Sequence, residues 1–215
     1  MKQKHILCLL LIILFFLFFF STSKIEDVIM NEETKIDDRL IYIPNFLTDK
    51  EYEKILSLDT NKRNFNHERF RYVKPLRDQI VYDIFYSSKN INFLKQRLNQ
   101  SDLMKSDFPI EHRIYPKESE GMMWHSDLLL YQKPQYEAIY TIRNESSSLT
   151  EWKDDTGKLH SQWTEPNSLL IVKAQGYQHH VTPPVTGERE ILKLIYTQTT
   201  KTNENYDMEM LRFNT

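Results

Sequence analysis

Two short runs decide how this chain folds: Trp124-His125-Ser126-Asp127, and His179-His180-Val181-Thr182-Pro183-Pro184-Val185-Thr186-Gly187-Glu188-Arg189. Between them they supply imidazoles, a carboxylate and a guanidinium. Residues two apart on a strand point to the same side, so His125 and Asp127 can share one ion. A second imidazole must then come from another strand, where His179 and His180 compete because only one of two adjacent strand residues faces a given site. Two neutral imidazoles and one carboxylate, with the remaining positions open, suit a ferrous ion that activates oxygen. Ten residues after His179, Arg189 offers a planar fork for gripping a carboxylate, and Lys193 on the same strand face is a rival cation. A lone His-x-Asp arises often by chance, so the joint pattern carries the weight.

At 215 residues the chain is sized for one domain with a sizeable core. Its 28 basic and 30 acidic residues nearly balance, leaving a formal charge of -2 and no general footprint for a nucleic-acid polyanion. Aromatics at 13% beside only four glycines indicate a strand-rich, packed domain. The single cysteine, Cys8, lies in an apolar leader, which excludes an internal disulfide or a thiolate metal site from the folded part.

Lys2 and Lys4 precede an unbroken apolar run from Ile6 to Phe20. This run is a membrane-targeting segment, long for a signal-peptide core and short of the roughly 20 residues that usually span a bilayer. A cleaved signal and an uncleaved anchor both fit; the anchor is preferred because no clear small-x-small cleavage site follows. Basic residues before the run and Glu26 and Asp27 after it place the domain in the lumen. The expectation is a single-pass type II membrane protein of the endoplasmic reticulum or secretory pathway. Residues 1–23 are assigned to the signal anchor, 24–39 to a linker, 40–200 to the folded domain and 201–215 to a C-terminal tail.

Folding begins near Leu40, with a strand expected over 40–43. Thr48 to Glu51 matches a capping box ahead of Tyr52, Ile55 and Leu56 on one helical face. Residues 80–98 are expected as one or two helices. Lys62 to Arg77 carries six basic residues among Phe65, Phe70 and Tyr72, either a solvated edge strand or a substrate-facing edge. From Pro109 onward the pattern changes to short runs punctuated by turn signals. Strands are expected over 110–115, 122–129, 136–143, 149–152, 158–163, 168–173, 179–182 and 190–198. Their even spacing indicates a sandwich or barrel-like double sheet, an α+β class that is mainly β.

At His125, Asp127 and the run from His179 to Arg189, the chain resembles the prolyl 4-hydroxylase-like branch of the Fe(II)/2-oxoglutarate dioxygenases. That family's late motif places Val two, Pro four, Gly eight and a basic residue ten positions after its histidine; here these are Val181, Pro183, Gly187 and Arg189 after His179. The match favours His179 over His180 and Arg189 over Lys193. The resemblance extends from about residue 40 to 198 and implies a double-stranded β-helix, jelly-roll or cupin-like, with N-terminal packing helices. It implies Fe(2+) on His125, Asp127 and His179, and the distal carboxylate of 2-oxoglutarate on Arg189, with Tyr115 or Tyr140 as a further contact. The implied reaction consumes 2-oxoglutarate and O2, releases succinate and CO2, and hydroxylates a C–H bond, with ascorbate as a companion reductant. The expected partner is a peptide or protein substrate presenting a prolyl or other side chain. The chain departs from the family where Ser146-Ser147-Ser148 stands in place of a Gly-Gly turn and where Glu118 stands near a usual glycine. Alternative readings are an oxygenase acting on a small molecule or alkylated base, and a catalytically silent jelly-roll binding module. Balanced charge speaks against the base, and the four intact residues against the silent module.

Overall fold

The computed structural model describes residues 37–213, with the exception of Glu118. The apolar leader, Cys8 and most of the expected linker lie outside the described residues, and the anchor expectation with them. Among the described residues no helix is long and apolar enough to cross a membrane.

The chain enters through β1 (Leu40–Ile43) and turns into α1 (Asp49–Leu56). The capping box forms: Thr48 N–H donates to Glu51 Oε2 at 3.0 Å, and Glu51 N–H donates to Thr48 Oγ1 at 3.4 Å. Two donors that no helical carbonyl can reach are thereby satisfied. A hairpin of β2 (Asn66–Glu68) and β3 (Arg71–Leu76) follows, then α2 (Gln79–Phe85) and α3 (Ser88–Leu98). The apolar stretch over 80–98 therefore forms two helices, capped separately by Asp78 and Ser87.

A two-residue strand β4 (Met104–Lys105) precedes eight strands: β5 (Ile110–Tyr115), β6 (Met122–His125), β7 (Tyr136–Asn144), β8 (Thr150–Lys153), β9 (Leu159–Gln162), β10 (Ser168–Lys173), β11 (His179–Val181) and β12 (Arg189–Thr197). Every expected strand forms, with most ends within a residue or two. β6 is the exception, because it stops at His125 instead of running to residue 129. Beyond His125 the main chain leaves the sheet and finds other partners: Gln175 N–H donates to the Asp127 carbonyl, while the Gln135 amide bonds Leu128 O and Leu130 N. Backbone groups so satisfied have no need of a neighbouring strand.

The large sheet runs β1-β10-β7-β12-β5-β3-β2, with β4 also pairing β12; the small sheet runs β6-β11-β8-β9. Strands β5 to β12 are shared between the two sheets in the double-stranded β-helix arrangement expected, with helices added at the N-terminal end. Alternation along the large sheet divides its faces. Tyr136, Ala138, Tyr140 and Ile142 of β7, with Leu192, Leu194 and Tyr196 of β12, join the main core with Ile55, Phe85, Leu94 and Leu98 of the helices. Tyr52 donates its hydroxyl to Ile142 O, and Tyr196 to Phe85 O, which locks helices to strands. Glu137, Ile139, Arg189, Ile191 and Lys193 instead line a cavity on the other face.

Of residues 201–215, expected as a tail, the described ones, 201–213, fold back. α4 (Glu204–Met210) and the 3-10 turn Leu211–Phe213 bring Tyr206, Met210 and Phe213 against a second core cluster of Phe108, Leu130, Tyr131 and Ile195. Those three side chains follow one helical face, at i, i+4 and i+7. Asn203 caps α4, and Asn203 and Asn205 amides both donate to Leu129 O. The last linker residues are also tied in, since Asp38 pairs with Lys173 at 2.7 Å and accepts the Tyr136 hydroxyl at 2.9 Å.

Phe85 is fully buried and packs edge-on to Tyr140, with ring centroids 4.9 Å apart. Phe85→Ala is expected to destabilise the domain by about 3–5 kcal/mol. Urea unfolding measures it, and a loss below about 1 kcal/mol would show that the helices contribute little to this core.

Candidate active site

His125 is the last residue of β6 and lies directly opposite His179, the first residue of β11, in the antiparallel pairing. Their ring centroids are 4.3 Å apart. Asp127, just past the strand, closes the group: its Oδ1 is 3.6 Å from His125 Nε2, and its Oδ2 is 3.7 Å from His179 Nε2. One donor atom from each of the three residues falls within 4.8 Å of the others. Each imidazole is also held from behind. His125 Nδ1 sits 2.8 Å from Met123 O, and His179 Nδ1 sits 3.1 Å from Tyr177 O. A carbonyl can only accept, so each Nδ1 carries the proton and each Nε2 presents its lone pair to the common point.

Electrostatics agree with a cation-binding role. Burial holds the His179 imidazole below its ordinary pKa, which favours the neutral ligand form. Burial opposes ionisation of Asp127, but the His125 hydrogen bond and the Lys193 charge outweigh it and keep the carboxyl below its usual range. The Asp127 carboxylate, which can only accept, raises the His125 imidazole above its ordinary pKa. Two imidazoles and one monodentate carboxylate, all approaching from one side, suit a first-row divalent metal and leave its opposite side to ligands from the cavity.

That cavity, of about 220 Å³, holds the triad at one wall and Arg189 at another. Its apolar lining includes Ile139, Leu170, Val172, Val181 and Ile191. Arg189 is 4% exposed, and burial lowers its pKa. Its Nε has no hydrogen-bond partner, and among the described residues no carboxylate pairs with it. A buried, uncompensated guanidinium costs several kcal/mol, so the fold carries a strong demand for an anion there. The neighbouring cations make no such demand. Lys193 pairs with Glu137 at 2.6 Å, Arg113 with Glu111 at 2.8 Å, Arg71 with Glu68 at 3.0 Å, and Arg212 with Glu111 at 3.2 Å. Lys193, the rival to Arg189, therefore already has a carboxylate partner.

Tyr115 lines this cavity and faces Arg189 across the β5–β12 pairing. Burial alone would raise its pKa, but Arg113 and Arg71 outweigh burial and lower it. Tyr140, the other expected cosubstrate contact, is on the wrong face. It is fully buried in the helix-packed core, where its hydroxyl donates to Asn167 Oδ1 at 2.9 Å. Strand parity separates it from Glu137 and Ile139, which do face the cavity. His180 likewise points away from the triad, stacked on Trp124 with centroids 4.1 Å apart and bonded to Glu151 at 2.7 Å.

The three serines in place of a glycine turn are structural. Ser146 Oγ donates to Asn144 Oδ1 at 2.7 Å, and Ser147 Oγ accepts from the N–H groups of Val185 and Thr186. Gly187, at φ +64, has no room for a side chain: a Cβ would meet Glu145 O at 1.9 Å. The serine loop and the 183–187 turn are thus packed backbone to backbone, with Pro184 presented to the cavity. Arg71, Arg113, Ser119, Glu137 and Arg212 also line the cavity without any local sequence signal. Only the basic, aromatic character of the segment around Arg71 hinted at a functional edge.

No protein-family model matches this sequence, and no curated protein matches it. Solved structures do. A 2OG-Fe(II) oxygenase family oxidoreductase from Burkholderia pseudomallei superposes with TM-score 0.65 at 10% identity, over 78% of this chain and 88% of that one. A prolyl hydroxylase from Trichoplax adhaerens, in complex with a hypoxia inducible factor peptide fragment, gives 0.57 at 16% identity over 75% and 84%. HygX from Streptomyces hygroscopicus, with nickel, 2-oxoglutarate and hygromycin B bound, gives 0.55 at 14% identity over 78% and 86%. At such identities the likeness is one of architecture: this chain has the double-stranded β-helix fold of the 2-oxoglutarate Fe(II) oxygenases.

Proposed function

We propose that this chain is an Fe(II)- and 2-oxoglutarate-dependent dioxygenase that hydroxylates a C–H bond, with a prolyl or other side chain of a peptide or protein as its target. The observation that carries this reading is the pairing, in one cavity, of an open-sided His125–Asp127–His179 triad with a buried Arg189 that has no counter-ion among the described residues. The triad would hold Fe(II) through two Nε2 atoms and one carboxylate oxygen. Held by these residues, iron would supply the redox chemistry that couples oxidative decarboxylation of 2-oxoglutarate by O2, giving succinate and CO2, to hydroxylation of the substrate C–H bond. Ascorbate fits as the reductant that keeps the metal ferrous.

The residues of this chain do the rest. Arg189 fixes the distal carboxylate of 2-oxoglutarate by charge and a two-pronged fork. Tyr115 stands beside it to orient the same group. Ile139, Leu170, Val172 and Ile191 keep water from the reacting groups. A peptide target draws support from the peptide-bound Trichoplax relative; HygX, with hygromycin B bound, supports a small-molecule target as the second reading. The leader, with basic residues before it and acidic ones after it, supports a type II anchor and a domain in the endoplasmic reticulum lumen or secretory pathway.

Incubation of the full-length protein with Fe(II), 2-oxoglutarate and a proline-rich peptide panel is expected to add one oxygen atom to a peptide, detected by mass spectrometry, in step with succinate release. Turnover of a small molecule in place of any peptide would favour the second reading, and absence of both with no iron bound would favour a silent binding module. Asp127→Ala is expected to abolish retention of iron on gel filtration, measured by metal analysis; a full metal complement would remove Asp127 from the ligand set. Arg189→Gln is expected to raise the 2-oxoglutarate KM by about tenfold or more while leaving the iron content unchanged. An unmoved KM would transfer the role to Lys193.

A further inference from the structure

The turn between β10 and β11 holds two of the three candidate metal ligands through its backbone. Gln175 N–H donates to Asp127 O at 3.2 Å, and Tyr177 O takes the proton of His179 Nδ1 at 3.1 Å. Asp127 lies past the end of β6, so no strand pairing fixes its main chain. Whatever sets the shape of residues 174–178 therefore sets the aim of the Asp127 carboxylate and the tautomer of His179.

This turn is braced from outside. Gln175 is held at φ +59, a left-handed conformation that a residue with a side chain seldom adopts unless its surroundings favour it. The surroundings are the residues ahead of β1. Arg39 O accepts from Lys173 N–H at 2.9 Å, and Gly176 packs so closely there that a Cβ would meet Lys173 O at 2.7 Å and Arg39 Cβ at 3.3 Å. The Arg39 guanidinium lies over the Tyr177 ring, 4.1 Å from its centroid, and its Nη2 donates to the Tyr177 hydroxyl. That hydroxyl in turn donates to Asp37. The guanidinium is anchored on both flanks, with Nε donating to Asp37 at 2.9 Å and Nη1 donating to Asp155 at 2.7 Å. Asp155 belongs to the β8–β9 turn, at whose start Lys153 N–H donates to Gln178 O at 3.2 Å. Three segments distant in sequence thus converge on one turn.

Resting on the reading of His125, Asp127 and His179 as metal ligands, we propose that Arg39 is a positioning residue for the metal centre. Clamped between Asp37 and Asp155, it holds Tyr177 and so fixes the turn whose backbone aims Asp127 and His179. Neither the His-x-Asp pair nor the run ending at Arg189 reaches this residue, which the sequence alone assigns to a linker. Exposed ion pairs contribute little to global stability, so loss of Arg39 is felt at the metal and not in the folding of the domain.

The test is competitive titration of the full-length protein with Co(II), followed by visible absorption, beside the thermal midpoint of the metal-free protein. Arg39→Ala is expected to weaken Co(II) binding by about tenfold and to shift the visible bands, while the midpoint moves by less than about 4 °C. Tyr177→Phe keeps the ring and the carbonyl but loses the hydroxyl that Arg39 grips, and is expected to weaken binding by about threefold. Lys89→Ala, which breaks the exposed Lys89–Glu51 pair between α3 and α1 at 3.2 Å, is expected to leave affinity and bands unchanged. Unchanged affinity and bands in Arg39→Ala, or an equal change in Lys89→Ala, overturns the assignment. If Arg39→Ala does not fold, Tyr177→Phe decides, and wild-type affinity in it overturns the assignment as well. Failure of the wild-type protein to bind Co(II) overturns the metal reading itself, and is told apart because no variant is involved.

Discussion

Every property of the site depends on the register of β6 against β11. Because His125 and His179 are direct partners across that pairing, both imidazoles leave the small sheet on the same face. A slip of one residue would send His180 inward in place of His179 and break the triad. The backbone reinforces the register at each histidine: the carbonyl two residues earlier takes the Nδ1 proton and leaves Nε2 free. The irregularity after His179, where Val181 pairs with Met122, occurs beside Gly121, whose missing side chain lets the two backbones approach. Geometry, tautomer and close packing thus come from one strand pair.

The large sheet supplies the other half by presenting two chemically different faces. Toward the helices it is apolar and aromatic, and most of its polar atoms are matched: His112 Nε2 and Arg143 share Glu190, and tyrosine hydroxyls reach backbone carbonyls, while His112 Nδ1 is left without a partner among the described residues. Toward the cavity it carries charges, nearly all paired within the wall. Glu111 serves Arg113 and Arg212, and Glu137 serves Lys193, so among the described residues Arg189 is left as the wall cation without a carboxylate partner, its field directed at whatever enters. Burial makes that field strong, since low dielectric amplifies an unpaired charge and raises the cost of leaving it so. Closing this end of the molecule falls to the segment after residue 200. Its Arg212 reaches Glu111 in the cavity wall while its aromatic residues seal the second core cluster.

Much of this was legible beforehand, for reasons that are local. Strand positions followed from turn residues at even spacing, and α1 from a four-residue capping box. The cluster of His125, Asp127 and His179 was legible because His-x-Asp and the late histidine stand out as a joint pattern, although Asp127 lies just past the end of β6 and not on it. Other features were not. Tyr140 looked as available as Tyr115, because β7 is rich in apolar and aromatic residues at both parities and its facing is set only by which sheet surface the helices cover. α4 was missed because seven residues are too few for a periodic pattern to stand out. Ser119 and Glu137 gave no signal, since each owes its place to groups on strands or turns distant in sequence.

The sequence by itself therefore determined the class of fold, the order of its strands and the candidate cluster of His125, Asp127 and His179. These rest on interactions between residues close in the chain or on side-chain chemistry that no neighbour alters. Only the tertiary structure decided which of two tyrosines meets the cavity and which of two cations is free. Those are questions of compensation: whether a polar group is paired depends on which distant group the folded chain brings within about 3 Å of it. Lys193 and Arg189 lie four residues apart on one strand face, and Glu137, more than fifty residues away in sequence, pairs with one of them and leaves the other for a ligand.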